Sequence, residues 1–189
     1  MAGIAASGAD VVALLMRQHG DIRNLFDEVE RTAGDERRAA FRSLVRLLAV
    51  HETAEEEVVH PFTRVSVPDG ERIVDDRLTE EREAKELLSR LDGTDPDDPK
   101  FLPELQTLRT DVMRHARAEE RYEFIHIRRH ADTARLASMA AAIRAAEAVA
   151  PTHPHPGTES AARNLTLGPL TALVDHTRDA VRKAQGKDG

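Results

Sequence analysis

Apolar positions recur along this chain with the period of a helix. Val12, Leu15, His19, Ile22, Phe26 and Val29 fall on one stripe of a 3.6-residue repeat. Leu44, Leu48, His51, Glu55, Val58 and Phe62 make a second stripe. Val74, Leu78, Glu81, Ala84 and Leu88 make a third, and Leu108, Val112, His115, Glu119 and Tyr122 a fourth. No alternating strand pattern stands out. Breakers separate the segments: "AGD" at 33–35, "PDG" at 68–70 and the turn-rich "LDGTDPDDPK" at 91–100. The fourth segment runs from about Pro103 to His130 and is followed by an Ala-rich fifth, about Asp132 to Ala150. After the proline-rich "PTHPHPG" a last amphipathic segment runs from about Leu165 to Ala184. The pattern predicts an all-α protein: an antiparallel four-helix bundle over residues 8–130, with two additional C-terminal helices in 131–189. The stripes of those two helices, Leu136, Met139, Ala140 and Ile143, then Leu170, Leu173, Val174, Thr177 and Val181, predict that both pack on the bundle or on a second copy of it.

Composition narrows the chemistry. The 189 residues contain no cysteine, which excludes disulfides, zinc knuckles and cysteine-ligated iron–sulfur clusters. A metal would have to be held by nitrogen and oxygen. The net charge of -7 argues against a nucleic-acid partner. No run of about 18 apolar residues predicts a membrane span. The opening "MAGIAASGADVV" lacks the basic region of a signal peptide, so a cytoplasmic protein is expected.

Each of the four stripes carries polar residues of metal-ligand type near its middle. His51 and Glu55 are four apart, about 40° around an ideal helix, and His115 and Glu119 repeat that spacing. One helix earlier in each case, "HGDIRNLF" (19–26) and "EREAKELL" (81–88) align without gaps. The chain therefore reads as two weakly similar hairpins, each offering one ligand from its first helix and a His-x-x-x-Glu pair from its second. One histidine on an apolar stripe is ordinarily a hydrogen-bonded core residue. Burying six ionisable groups unpaired is too costly for that explanation to cover them all. Imidazole and carboxylate together suit iron, with manganese as the alternative ion.

"RQHGDIRNLF", "HETAEEEVVHP" and "HARAEERYEF" resemble the hemerythrin-like, or HHE cation-binding, domain, over about residues 8–130. That resemblance implies a four-helix bundle around two iron ions, oxo- or hydroxo- and carboxylate-bridged. It implies that His19 and His51 bind one iron, that His115 and Glu81 bind the other, and that Glu55 and Glu119 bridge them. It also implies a small diatomic ligand or peroxide as partner: oxygen, peroxide or nitric oxide, met in carriage, sensing or stress chemistry. The family usually has histidine at the position of Glu81, and the preceding turn here holds Arg77 and Leu78. A glutamate there makes the site more anionic, favours ferric iron and argues against reversible oxygen carriage. Glu80 is the neighbouring alternative.

Other readings compete. Ferritin-like bundles use Glu-x-x-His, and Glu57 with His60 and Glu123 with His126 have that spacing. On an ideal helix, however, His60 lies about 180° from His51, on the face of Arg42, Arg46 and Arg64. A helical interaction protein without metal is the remaining alternative, and the C-terminal helices would serve a homodimer or a protein partner. Glu52, Glu56 and Glu57 read as a solvated face. His126 reads as a core histidine on the inward stripe, and Tyr122 as a core residue or hydrogen-bond partner of the centre. His153 and His155 belong to the proline loop. Arg23 and Lys85 either offset anionic charge or form surface pairs.

Overall fold

The fold is that of a computed structural model, which describes residues 10–149 and 170–187. The "PTHPHPG" segment, with His153 and His155, lies outside the described residues. Helix α1 spans Val11–Arg31, α2 Gly34–Ala54, α3 His60–Ser66, α4 Gly70–Asp92, α5 Phe101–Tyr122, α6 Phe124–His130, α7 Thr133–Val149 and α8 Leu170–Ala184. Between α2 and α3 the helix does not stop. It widens into a π turn, Glu55–Val59. Helices α1, α2–α3, α4 and α5–α6 form the antiparallel bundle, and α7 and α8 pack on each other and on α2.

Local chemistry sets the ends. Asp10 caps α1, its carboxylate accepting from the Val12 amide at 2.9 Å. Gly34 takes φ +57° in the α1–α2 turn, a conformation that costs other residues. The loop before α5 is tied to α2 by Arg38, which donates to Asp95 and Asp97 at 2.6 and 2.7 Å. Gly70 starts α4 against α3 with no space to spare: a Cβ there would come within 2.0 Å of the Thr63 carbonyl oxygen.

The core is in two parts. One gathers Ile22, Phe26, Phe41, Leu44, Leu48, Leu88, Phe101, Leu108 and Val112. The other gathers Val11, Leu15, Val50, Val58, Phe124 and Ile127 with Met139 and Ile143 of α7 and Val181 of α8. The polar residues of the stripes fall between the two. His19 lies between Leu15 and Ile22, and His51 and Glu55 lie between Leu48 and Val58. Among the described residues, no helix is long and apolar enough to cross a membrane.

Two helices depart from uniform periodicity. The stripe of the second segment is broken by the π turn, and the fourth segment is broken at Glu123, whose backbone (φ -118°, ψ -56°) separates α5 from α6. Tyr122, expected in the core, is 52% exposed at the end of α5. The Arg121 guanidinium lies over its ring. His126 is only half-buried and stacks on His130.

Candidate metal centre

The bundle brings the six expected residues together. One donor atom each of His19, His51, Glu55 and Glu119 lies within 4.8 Å of the others, and so do donors of Glu55, Glu81 and His115. Glu55 belongs to both groups. Glu119 faces His19 Nε2 at 3.3 Å through one oxygen and His115 Nε2 at 3.2 Å through the other. All are buried except His115, which is nearly so. Glu81 rather than Glu80 points inward. Glu80 lies outside, accepting from His115 Nδ1 at 2.9 Å and from Arg77 at 3.1 Å.

The donor set fits a cation. His19 Nε2, His115 Nε2, both oxygens of Glu55, both of Glu119 and Oε2 of Glu81 are buried without a hydrogen-bond partner. Buried polar atoms are nearly always satisfied, and here seven orphans on five residues surround one region. Protons fill part of that role in the metal-free protein. Burial, then the charges of Glu119, Glu81 and Glu123, pushes the Glu55 carboxyl well above the usual range. Burial also acts to raise Glu119, but the imidazoles of His115 and His19 outweigh it and hold that carboxylate well below. Burial opposes charge on His19 and His115 as well, and the adjacent carboxylates reverse the effect and raise both. At His51 burial and the neighbouring His19 outweigh the Glu119 carboxylate and lower it to about 3. A cation entering this cluster would displace protons from Glu55, His19 and His115.

Several residues around the cluster depart from their expected places. Glu52 is not solvated. It is buried, and burial raises it to about 7 despite Lys85 at 3.5 Å. Lys85 also pairs with Glu56 and approaches Glu81 at 3.5 Å, so it offsets anionic charge at the site. Glu57 is half-buried and clamps α8 through Arg178 and Arg182. The larger correction is His60. It does not sit on the far face with Arg64 but is buried at 3% exposure, with Nε2 2.8 Å from Glu81 Oε1. A π turn holds one residue more than an α turn, so it rotates everything after it by about 100°. His60 is thereby swung toward the core, where burial opposes its charge and Glu123 and Glu81 together raise it to about 10. The Glu-x-x-His pairs of the ferritin-like reading are split, because Glu57 faces α8 while His60 faces inward. Glu123, missed by the stripe, is fully buried and accepts from Thr63 Oγ1 at 2.6 Å. Gln18 was also missed. It accepts from His51 Nδ1 at 2.8 Å and donates to Glu147 of α7 at 2.8 Å.

Residues 10–127 match the family model of the hemerythrin HHE cation binding domain. The chain belongs to that family. An uncharacterized hemerythrin-like protein of Schizosaccharomyces pombe is 26% identical over 138 residues, covering 72% of this chain and 68% of that protein. A DNA nickase of Nostoc is 27% identical over 135 residues, 71% of this chain but 38% of that protein. The crystal structure of a hemerythrin HHE domain protein from Mycobacterium kansasii, a homolog of Rv2633c, superposes with a TM-score of 0.69 at 23% identity, over 88% of this chain and 98% of that one. This hemerythrin-family chain is thus a metal-binding protein with a helical-bundle fold.

Proposed function

We propose that this hemerythrin-family protein holds two iron ions and uses them on a small oxidant: oxygen, peroxide or nitric oxide. His19 and His51 serve one ion, Glu81 and His115 the other, and Glu55 and Glu119 are shared. The observation that carries the reading is the set of orphaned donors around one buried point. Bound iron would supply the redox chemistry. The protein supplies the ligands, the dry surroundings and the size limit. A cavity of about 10 Å³ lies beside His19, His51, Glu81 and His115, walled by Ile22, Leu48, Ala84, Val112, Met113 and Ala116. That is room on the scale of a single water. It suits a diatomic molecule or peroxide better than an organic substrate.

Elemental analysis of protein produced with iron should give about two irons per chain, and a folded protein that takes up neither iron nor manganese would refute the reading. Stopped-flow mixing with peroxide and with nitric oxide then tests the ligand. Turnover that disappears in His115→Ala marks an enzyme. A stoichiometric spectral change without turnover marks a sensor.

A further inference from the structure

Three imidazoles of the centre share one build. His19 gives Nδ1 to Glu120 at 2.9 Å and turns Nε2 to Glu119 at 3.3 Å. His51 gives Nδ1 to Gln18 at 2.8 Å and turns Nε2 to Glu55 at 3.4 Å. His115 gives Nδ1 to Glu80 at 2.9 Å and turns Nε2 to Glu119 at 3.2 Å. In each, an acceptor outside the cluster holds Nδ1, and Nε2 faces a carboxylate inside it. This is how metal-binding histidines are commonly oriented, with the outer hydrogen bond fixing the tautomer.

His60 too has a carboxylate at each ring nitrogen, with the shorter distance on the Nε2 side. Its Nδ1 faces Glu123 Oε1 at 3.4 Å, and Glu123 is pinned in turn by Thr63. Its Nε2 lies 2.8 Å from Glu81 Oε1. For bonds of about 2.1 Å, donors on adjacent corners around an ion sit about 3 Å apart, and all four Nε2-to-carboxylate separations are near that value. The balance of the site points the same way. The group around Glu119 has two imidazoles, His19 and His51, while the group of Glu55, Glu81 and His115 has one. The π turn that carries Glu55 turns His60 toward Glu81, on the side that is short of nitrogen, although His60 lies outside both groups of mutually close donors.

We propose that His60 is a fourth imidazole ligand, binding through Nε2 beside Glu81. The inference rests on the metal-binding reading above. Its rival is that His60 only donates a hydrogen bond to Glu81, and glutamine separates the two. The full chain and its His60→Ala and His60→Gln variants are loaded with ferrous iron without oxygen and compared by metal content and Mössbauer spectrum. Circular dichroism verifies the fold. Wild type should hold about two irons. Both variants should lose about one, or shift one iron signal while leaving the other in place, and added imidazole should restore His60→Ala. If both folded variants keep the wild-type count and spectra, His60 is not a ligand. If glutamine alone restores them, His60 acts only through Glu81, and the proposal is equally overturned. Should wild type itself take up no iron, the metal reading fails first. Because His60→Gln nearly preserves the side-chain volume, the comparison survives if His60→Ala does not fold.

Discussion

The two sides of the centre share one hairpin plan but are stabilised differently. On the α1–α2 side His19 and His51 are backed by Glu120 and by the neutral Gln18, and Gln18 is held by Glu147 of α7. That side leans on the C-terminal helices, through the core cluster that joins Leu15 and Val50 to Met139, Ile143 and Val181. On the α4–α5 side Glu81 and His115 sit among further carboxylates, Glu80 and Glu52, and the cations Lys85 and Arg77 come in from α4. The imidazole-rich side has a packed wall and, behind His51, a neutral acceptor. An anionic pocket needs counter-charge, since buried carboxylates without it would stay protonated.

The largest expected effect comes from removing the wall. Truncation after Asp132 deletes the buried Met139, Ile143 and Val181. At about 1.5–3 kcal/mol for each large buried side chain, the loss is several kcal/mol, read as a lower denaturant midpoint. Among the described residues neither deleted helix offers a ligand, so a truncated protein that folds should keep its iron, with spectral change confined to the α1–α2 side. An unchanged midpoint would show that the wall does not matter.

Gly70→Ala attacks the other side. Its Cβ would collide with the Thr63 carbonyl, so a loss of about 3 kcal/mol is expected. The α3–α4 junction must move, and with it Thr63 and His60. Thermal melts of metal-free protein measure the loss, and full stability in the variant would mean that the junction yields freely.

His51→Ala and His115→Ala should each cost about one iron, from opposite sides. Ligand that binds only the folded state stabilises by mass action, so chelation should lower the melting temperature of wild type more than that of either variant. Equal shifts in all three would contradict the assignment of His51 and His115 as ligands.

Glu147→Gln should do least. It keeps an acceptor for Gln18 while removing a charge, and about 0.5–1.5 kcal/mol is expected, as for a single hydrogen bond. Its signature is a small change in the iron bound by His51 and none in the iron bound by His115. A matching change on both sides would mean that the sides are not independent.

The sequence by itself determined the bundle and the convergence of six residues. Each of those residues lies on an apolar stripe, and a four-residue spacing places His51 with Glu55 and His115 with Glu119 on one face whatever the neighbouring helices do. Periodicity could not reach past a change of period. The π turn at Glu55–Val59 rotates the turns beyond it, so His60 enters the core; where α5 ends, Glu123 turns inward while Tyr122, the last residue before the break, is exposed. The acidic run also misled. Glu52 looks like its neighbours Glu56 and Glu57, and only the packing of α4 buries it and supplies Lys85. Gln18 carries no chemical signal of its own. Its part depends on His51, 33 residues later, and on Glu147, 129 residues later, and contacts at such distances exist only once the helices are packed.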